Sequence, residues 1–145
     1  MKGPRKITRI HLSVNEQDEP SVLGIVTPDP DYKISLKLNK KLKISLKNSS
    51  PLEIEDNEGG KIDFSKFTDD TAAPDSVIHL VSNRSGKNYF LKNLKNIDYI
   101  LVLHDPGRNY KSEQMATGLR EIETITAVFT IDHKILKNKN LINLI

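Results

Sequence analysis

Several residues of this 145-residue chain are of types that do chemistry, and each proposes a different reaction. Ser85-Gly86-Lys87 looks like the end of a phosphate-cradling loop, in which glycines bring backbone amides to the phosphates, a lysine neutralises charge and a hydroxyl holds magnesium. That loop needs a glycine where Val81 stands, a Ser or Thr where Asn88 stands, and a helix behind it, so the tripeptide reads instead as a hairpin turn. The histidines His11, His79, His104 and His133 fall in separate elements with no i, i+4 pair, so a metal centre would require tertiary convergence, and neither metal nor cofactor is expected. His104-Asp105 closes an apolar run, where ligand sites gather in sheets with crossovers, although His-Asp-Pro-Gly is equally an ordinary turn. Neither Ser85 nor Tyr99 acquires an evident general base, so no residue is assigned a catalytic role. Asn48-Ser-Ser and Asn83-Arg-Ser match glycosylation acceptors, which matter only to a secreted chain.

The most informative group is Asp98. It lies in the apolar stretch Ile97 to His104, on the face of Ile100 and Val102, where an ionised carboxylate is costly unless it is bonded or paired. Arg84, at the preceding turn, is the best donor within range because its fork can grip a carboxylate with two bonds. An Arg84–Asp98 tie reads first as structural and second as part of a ligand site with Asn83, Tyr99 and His104.

The elements that must position these residues follow from periodicity. Ile10, Leu12 and Val14 alternate with polar residues, giving a strand over 6–14, and Val22 to Val26 is a short apolar run ended by Thr27-Pro-Asp-Pro30. From Tyr32 to Leu46 the pattern fits either a strand or a helix; Asp31, after two prolines, makes an N-cap, which favours a helix over 31–42. A hairpin follows through Gly59 and Gly60, linking the segment around Leu52 and Ile54 to Lys61–Phe67. Further strands are read over 77–82, around 89–91, over 97–104 as a central strand, and over 124–131 with an outer face open to water. Ser112 caps a helix over 113–123, with Met115, Leu119 and Ile122 on its buried stripe. A strand, helix and strand within 97–131 make a crossover whose two strands run parallel, adjacent or with one strand between them.

Composition sets the outer bounds. The chain is 37% hydrophobic, enough to fold as a single domain over 1–145, and it holds no cysteine, which excludes disulfides, thiolate metal sites and cysteine nucleophiles. Its longest apolar run, Tyr99 to Leu103, falls far below the roughly 20 residues that span a bilayer, so no membrane partner is expected. The charged Met-Lys-Gly-Pro-Arg-Lys start has no apolar stretch behind it, so no secretory leader is expected and the expected location is cytoplasmic. Charge alternates in blocks along the chain, which favours mutual pairing over a nucleic-acid face. The exception is 32–51, where Lys33, Lys37, Lys40, Lys41, Lys43 and Lys47 occur with no acid among them and could form an RNA surface, though without an aromatic ladder.

Two segments carry a family resemblance. Ser82-Asn-Arg-Ser-Gly-Lys-Asn-Tyr-Phe-Leu, followed by Asn96-Ile-Asp-Tyr-Ile-Leu-Val-Leu103, resembles the core of the uncharacterised bacterial IPExxxVDY family. There an Asn-Arg turn precedes Ile-Pro-Glu, three variable residues and Val-Asp-Tyr; here Ile97-Asp98-Tyr99 matches closely, while Leu91-Lys92-Asn93 departs at two of three places. Asp31-Tyr-Lys-Ile-Ser-Leu-Lys-Leu-Asn39 is similar to the family's Asp-Tyr-Arg-Leu-Cys-Trp-x-Leu-Asn helix, and Phe129-Thr-Ile-Asp132 with Leu136-Lys-Asn-Lys139 to its ending. The resemblance implies a small cytoplasmic protein without an established activity.

The resulting expectation is an α+β domain: a mainly antiparallel sheet of about six or seven strands, two principal helices and one βαβ crossover near the C-terminus. It is expected to be a non-catalytic binding or interaction protein, with two alternatives. One is an RNA-associated module using the 32–51 lysines; the other is a small-ligand or enzymatic site around Asn83, Arg84, Asp98 and His104. Strand 124–131, without proline or lysine, and the apolar tail Leu141-Ile-Asn-Leu-Ile145 leave open a closed two-fold homodimer, against the tail folding back on its own sheet.

Overall fold

Alternation of apolar residues along one run of chain builds both halves of the core. In β7 (Tyr99–His104), Tyr99, Leu101 and Leu103 point to one face and Ile100 and Val102 to the other, and all five are buried. A strand apolar on both faces must be covered on both, which is why it lies inside the sheet. The computed structural model describes residues 19–55, 58–71 and 75–137. The strand read over 6–14 and the tail 141–145 lie outside them.

The elements are β1 (Ser21–Val26), α1 (Asp31–Leu42), β2 (Lys47–Glu55), β3 (Lys61–Asp69), β4 (Val77–Ser82), β5 (Arg84–Ser85), β6 (Asn88–Tyr89), β7, α2 (Ser112–Arg120), β8 (Ala127–Ile131) and the single-turn α3 (Lys134–Lys137). Six strands form an antiparallel sheet in the order β2-β3-β4-β7-β1-β8, and β5 pairs β6 in a small ladder. The chain is therefore α+β. Because β1 is antiparallel to both β7 and β8, those two strands are parallel with β1 between them, as a crossover through α2 allows.

One face of the sheet carries the helices. Ile34 and Leu38 of α1 and Met115, Ala116 and Leu119 of α2 pack on Leu23, Ile25, Leu80, Leu101 and Leu103. The other face is closed mainly by loop: Phe90, Leu91 and Ile97, from the chain between β6 and β7, cover Val22, Val81, Ile100 and Val102, and Ile135 of α3 packs beside them. Gly24 permits this, since a Cβ there would stand 2.6 Å from Ile97 Cδ1 and 2.9 Å from Ile131 Cδ1. The run 22–26, read only as apolar, is thus a central strand.

Several boundaries differ from expectation for local reasons. Helix α1 spans 31–42 as read, but the amides of Lys33 and Ile34 bond the Pro30 carbonyl, so Pro30 holds the N-cap position and Asp31 is already helical. Likewise Lys111, not Ser112, precedes α2, which stops at Arg120 when Glu121 and Ile122 tighten into i to i+3 bonds. Of the strand expected around 89–91 only Tyr89 meets a ladder, with Asn88 before it, and β7 starts at Tyr99 rather than 97. The last strand departs most. Thr126 N bonds the Val26 carbonyl at 2.8 Å while Ala127 also pairs with Val26, so two residues oppose one and the alternation slips. Ile125 and Val128 consequently both reach the helix-covered core, and Phe129, read as inward, is 44% exposed.

Candidate functional site

The sequence-derived group does not gather into one site. Ser82 pairs with Tyr99 and Val77 with His104, so Asn83, Arg84, Asp98 and Tyr99 lie at one end of β4 and β7 and His104 at the other. At about 3.4 Å per residue the two ends are about 17 Å apart. His104 keeps a buried Nδ1 without a hydrogen-bond partner among the described residues. Its neighbour Asp105 is consumed by a turn: it accepts bonds from Ser76 Oγ at 2.6 Å, Tyr110 N at 2.7 Å and Asn109 Nδ2 at 3.1 Å. Burial raises the Asp105 carboxyl, but these donors outweigh it and hold it below the usual carboxylate range. The His-Asp-Pro-Gly stretch is a turn.

Asn83 is fully buried, and its side chain is spent on the chain that caps the second core. Its Nδ2 donates to the carbonyls of Leu94 and Ile97, both at 2.9 Å, and its Oδ1 accepts from Leu91 N at 2.7 Å. Its own backbone donates to the Asp98 carbonyl and accepts from Phe90 N. One side chain therefore ties together the 90–97 loop, which has little regular structure to bond itself. Gly86, at φ +60°, closes the β5–β6 turn, so Ser85-Gly86-Lys87 is a hairpin corner rather than a phosphate loop.

Asp98 is less buried than the apolar pattern suggested, because it precedes β7 instead of lying within it; its side chain is 27% exposed. Its firm partner is one the sequence did not indicate: Thr27 N donates to Oδ2 at 2.9 Å. Arg84 Nη2 approaches Oδ1 at only 3.7 Å, a single long contact from a side chain 55% exposed, while its guanidinium lies over the Tyr89 ring at 5.6 Å. Asp98→Ala should cost about 1 kcal/mol by leaving Thr27 N unserved, whereas Arg84→Ala should cost about 0.5 kcal/mol or less, as for exposed pairs. Equal losses in urea unfolding would show that the ion pair, not the amide bond, anchors Asp98.

Thr27 leads into a polar knot. Asp29, with a 6% exposed side chain, accepts at Oδ2 from Lys37 Nζ at 2.7 Å and from Thr124 Oγ1 at 2.6 Å. Lys37 also donates to Thr124 Oγ1 at 3.0 Å, Thr27 Oγ1 donates to the Thr124 carbonyl at 2.9 Å, and Tyr99 OH donates to the Asp29 carbonyl at 2.7 Å. Loop, α1, β7 and the approach to β8 are thereby fastened at one end of the sheet. The Lys37 ammonium and the Thr124 hydroxyl hold Asp29 below the usual carboxylate range despite its burial, and burial pushes Tyr99 up to about 12. A depressed carboxylate is a poor base and a charged lysine none, so Thr124 has no proton acceptor suited to nucleophilic work. The knot is structural.

Among the described residues no three His, Asp or Glu side chains gather as a metal site. His79 is buried with Nδ1 2.9 Å from Thr68 Oγ1, His133 Nε2 lies 3.2 Å from Glu19 Oε2, and His11 falls outside the described residues. Compared with known protein families the chain matches none, and no curated protein is significantly similar to it.

The lysine run resolves into two populations. Lys37 faces Asp29, and Lys41 pairs with Glu121 of the α2 side at 2.8 Å. Lys33, Lys40, Lys43 and Lys47 are exposed and make no ion pair among the described residues. Beside them on α1 are two apolar side chains that face water: Tyr32, 64% exposed, and Leu36, 65% exposed. Tyr32, Leu36, Lys40 and Lys33 share an arc of about 100° at 3.6 residues per turn. Sequence concealed this face, because Tyr32 and Leu36 extend the same apolar alternation that Ile34 and Leu38 obey inside.

Proposed function

We propose that the protein is a non-catalytic interaction protein of the cytoplasm that binds an acidic, partly apolar protein segment through the exposed face of α1. The observation that carries this reading is the pairing of Tyr32 and Leu36, both about two-thirds exposed at i, i+4, with Lys33 and Lys40 on the same face. A helix face with an apolar centre and a basic rim fits an amphipathic acidic partner, whose side chains fill the centre while its carboxylates meet the rim. The spent side chains of Asn83, Asp98, Tyr99 and Asp105 favour this over a small-ligand or enzymatic site. The cysteine-free composition suits a reducing compartment, and among the described residues no helix is long and apolar enough to cross a membrane. Kinship with the IPExxxVDY proteins is part of the same proposal, supported by the fact that the shared Asn83, Asp98 and Tyr99 all carry tertiary hydrogen bonds.

Fluorescence anisotropy with a labelled peptide of glutamate and leucine, and with short RNA, tests it across a salt series. Leu36→Ser should weaken peptide binding about tenfold, the scale of losing one well-placed apolar contact, and leave RNA binding weak, sequence-blind and salt-sensitive. Peptide affinity indifferent to Leu36→Ser would overturn the reading. Tight, lysine-dependent RNA binding would replace it with the RNA module.

A further inference from the structure

The two edges of the sheet are built differently. β2, at one end, carries Pro51, a register shift between Ser49 and Leu52, and the charges Lys47, Glu53 and Glu55, which are the devices that keep an edge from pairing further. β8, at the other end, is Ala127-Val-Phe-Thr-Ile131, with no charge, no proline and no strand on its outer side among the described residues. Phe129 and Thr130 are exposed on it. Two cavities of about 290 and 270 Å³ open along this edge, and Leu23 and Thr130 line both. The Arg120 guanidinium meets the Val128 carbonyl only at 3.5 Å, the limit of a hydrogen bond. Backbone that pairs with no further strand, beside sockets, is the arrangement that accepts an added strand once the Arg120 side chain swings aside, with main-chain bonds giving affinity and the sockets giving fit.

We infer that the added strand is β8 of a second copy, laid antiparallel about a two-fold axis at Phe129, so that two six-stranded sheets become one. In that register Phe129 faces the partner's Phe129, Val128 faces the partner's Thr130, and Ala127 faces the partner's Ile131. No charge falls within the five paired positions. The first charge beyond them, Asp132, lies next to the partner's Thr126, which is uncharged, and the chain then turns into α3, so like charges are not opposed. An isologous contact of this kind satisfies both edges at once and leaves none to propagate. The inference is independent of the α1 reading, which uses a different surface.

Light scattering of the full-length chain from micromolar to sub-millimolar concentration reads the result. Twice the 16.4 kDa of one chain is expected. Phe129→Lys and Phe129→Glu should each yield monomers with an unchanged far-ultraviolet spectrum, because two like charges then face each other across the axis, and mixing the two variants should restore the dimer mass. Thr130→Lys, which does not face itself, should also weaken the dimer tenfold or more. A monomeric wild-type chain at sub-millimolar concentration overturns the inference, whatever covers β8. So does a dimer that survives Phe129→Lys and Thr130→Lys, or a mixture of the oppositely charged variants that fails to recombine.

Discussion

Asn83→Ala should lower the stability of the protein by about 3 kcal/mol, since it strands the buried Ile97 carbonyl and Leu91 amide at once and each costs about 1–3 kcal/mol before the loop relaxes. The loss should be local in its cause. The Leu94 carbonyl keeps the Ile97 amide, but the Ile97 carbonyl and the Leu91 amide have no alternative partner in a ladder, and they belong to the loop that covers Val22, Val81, Ile100 and Val102. Amide exchange should therefore quicken first at Phe90, Leu91 and Ile97, and only later in the sheet. Asn83→Asp separates hydrogen bonding from shape. The carboxylate can still accept from Leu91 N, yet its other oxygen would face two carbonyl oxygens at 2.9 Å, so the protonated form is favoured in the fold. A carboxyl whose folded pKa is raised contributes most below its unfolded value of about 4 and loses that contribution as pH rises through the folded value. The variant should lie closest to wild type in mild acid and farthest from it at neutral pH. A chemical-denaturation midpoint unchanged by Asn83→Ala would show that the loop is held by its apolar contacts alone.

The difference between what was legible and what was not follows the range of the interactions. Helix α1, the hairpin of β2 and β3, β4 and the β7–α2–β8 crossover were readable because period, turn glycines and proline stops lie within a few residues of the elements they define. The slip in β8 was not, since the bulge depends on Val26, about a hundred residues away along the chain. Asp98 was correctly read as needing a partner, but its nearest charged candidate, Arg84, proved secondary to the amide of Thr27, which no side-chain inventory would suggest. Asn83 entered the reading only as part of an alternative ligand site, and its side chain clasps a loop. A polar residue that organises backbone and one that organises a ligand have the same letter in a sequence, and only the number of protein partners distinguishes them. The knot of Thr27, Asp29, Lys37 and Thr124 escaped entirely: its members are spread from 27 to 124, and Thr27-Pro-Asp-Pro30 reads locally as nothing more than a stop.

That knot supplies the other large effect, which is asymmetric. Lys37→Ala should cost about 3 kcal/mol, the scale for removing one partner of a buried pair, whereas Asp29→Asn should cost about 1 kcal/mol, the scale of one weakened hydrogen bond. The reason is unequal access to water. The Lys37 side chain is 31% exposed and can turn outward when Asp29 loses its charge, but Asp29, at 6%, cannot follow when Lys37 is gone and keeps only the Thr124 hydroxyl. The pH dependence must then differ in size. In the wild type the Asp29 carboxyl is depressed below its ordinary value, so its contribution is present above about pH 4 and drains away as acid titrates it. In Lys37→Ala the strongest influence that lowers the carboxyl is gone and burial is opposed chiefly by the Thr124 hydroxyl, so the depression, and with it the stability that acid can take away, should be much smaller. Urea unfolding from pH 3 to pH 7 should show the gap between wild type and Lys37→Ala widening with pH, while Asp29→Asn flattens the acid limb of the curve. The double variant should lose less than the two single losses combined, because the second substitution removes the charge that the first stranded. Additive losses, or a gap that stays constant with pH, would mean that Lys37 holds α1 by the packing of its stem and not by its charge.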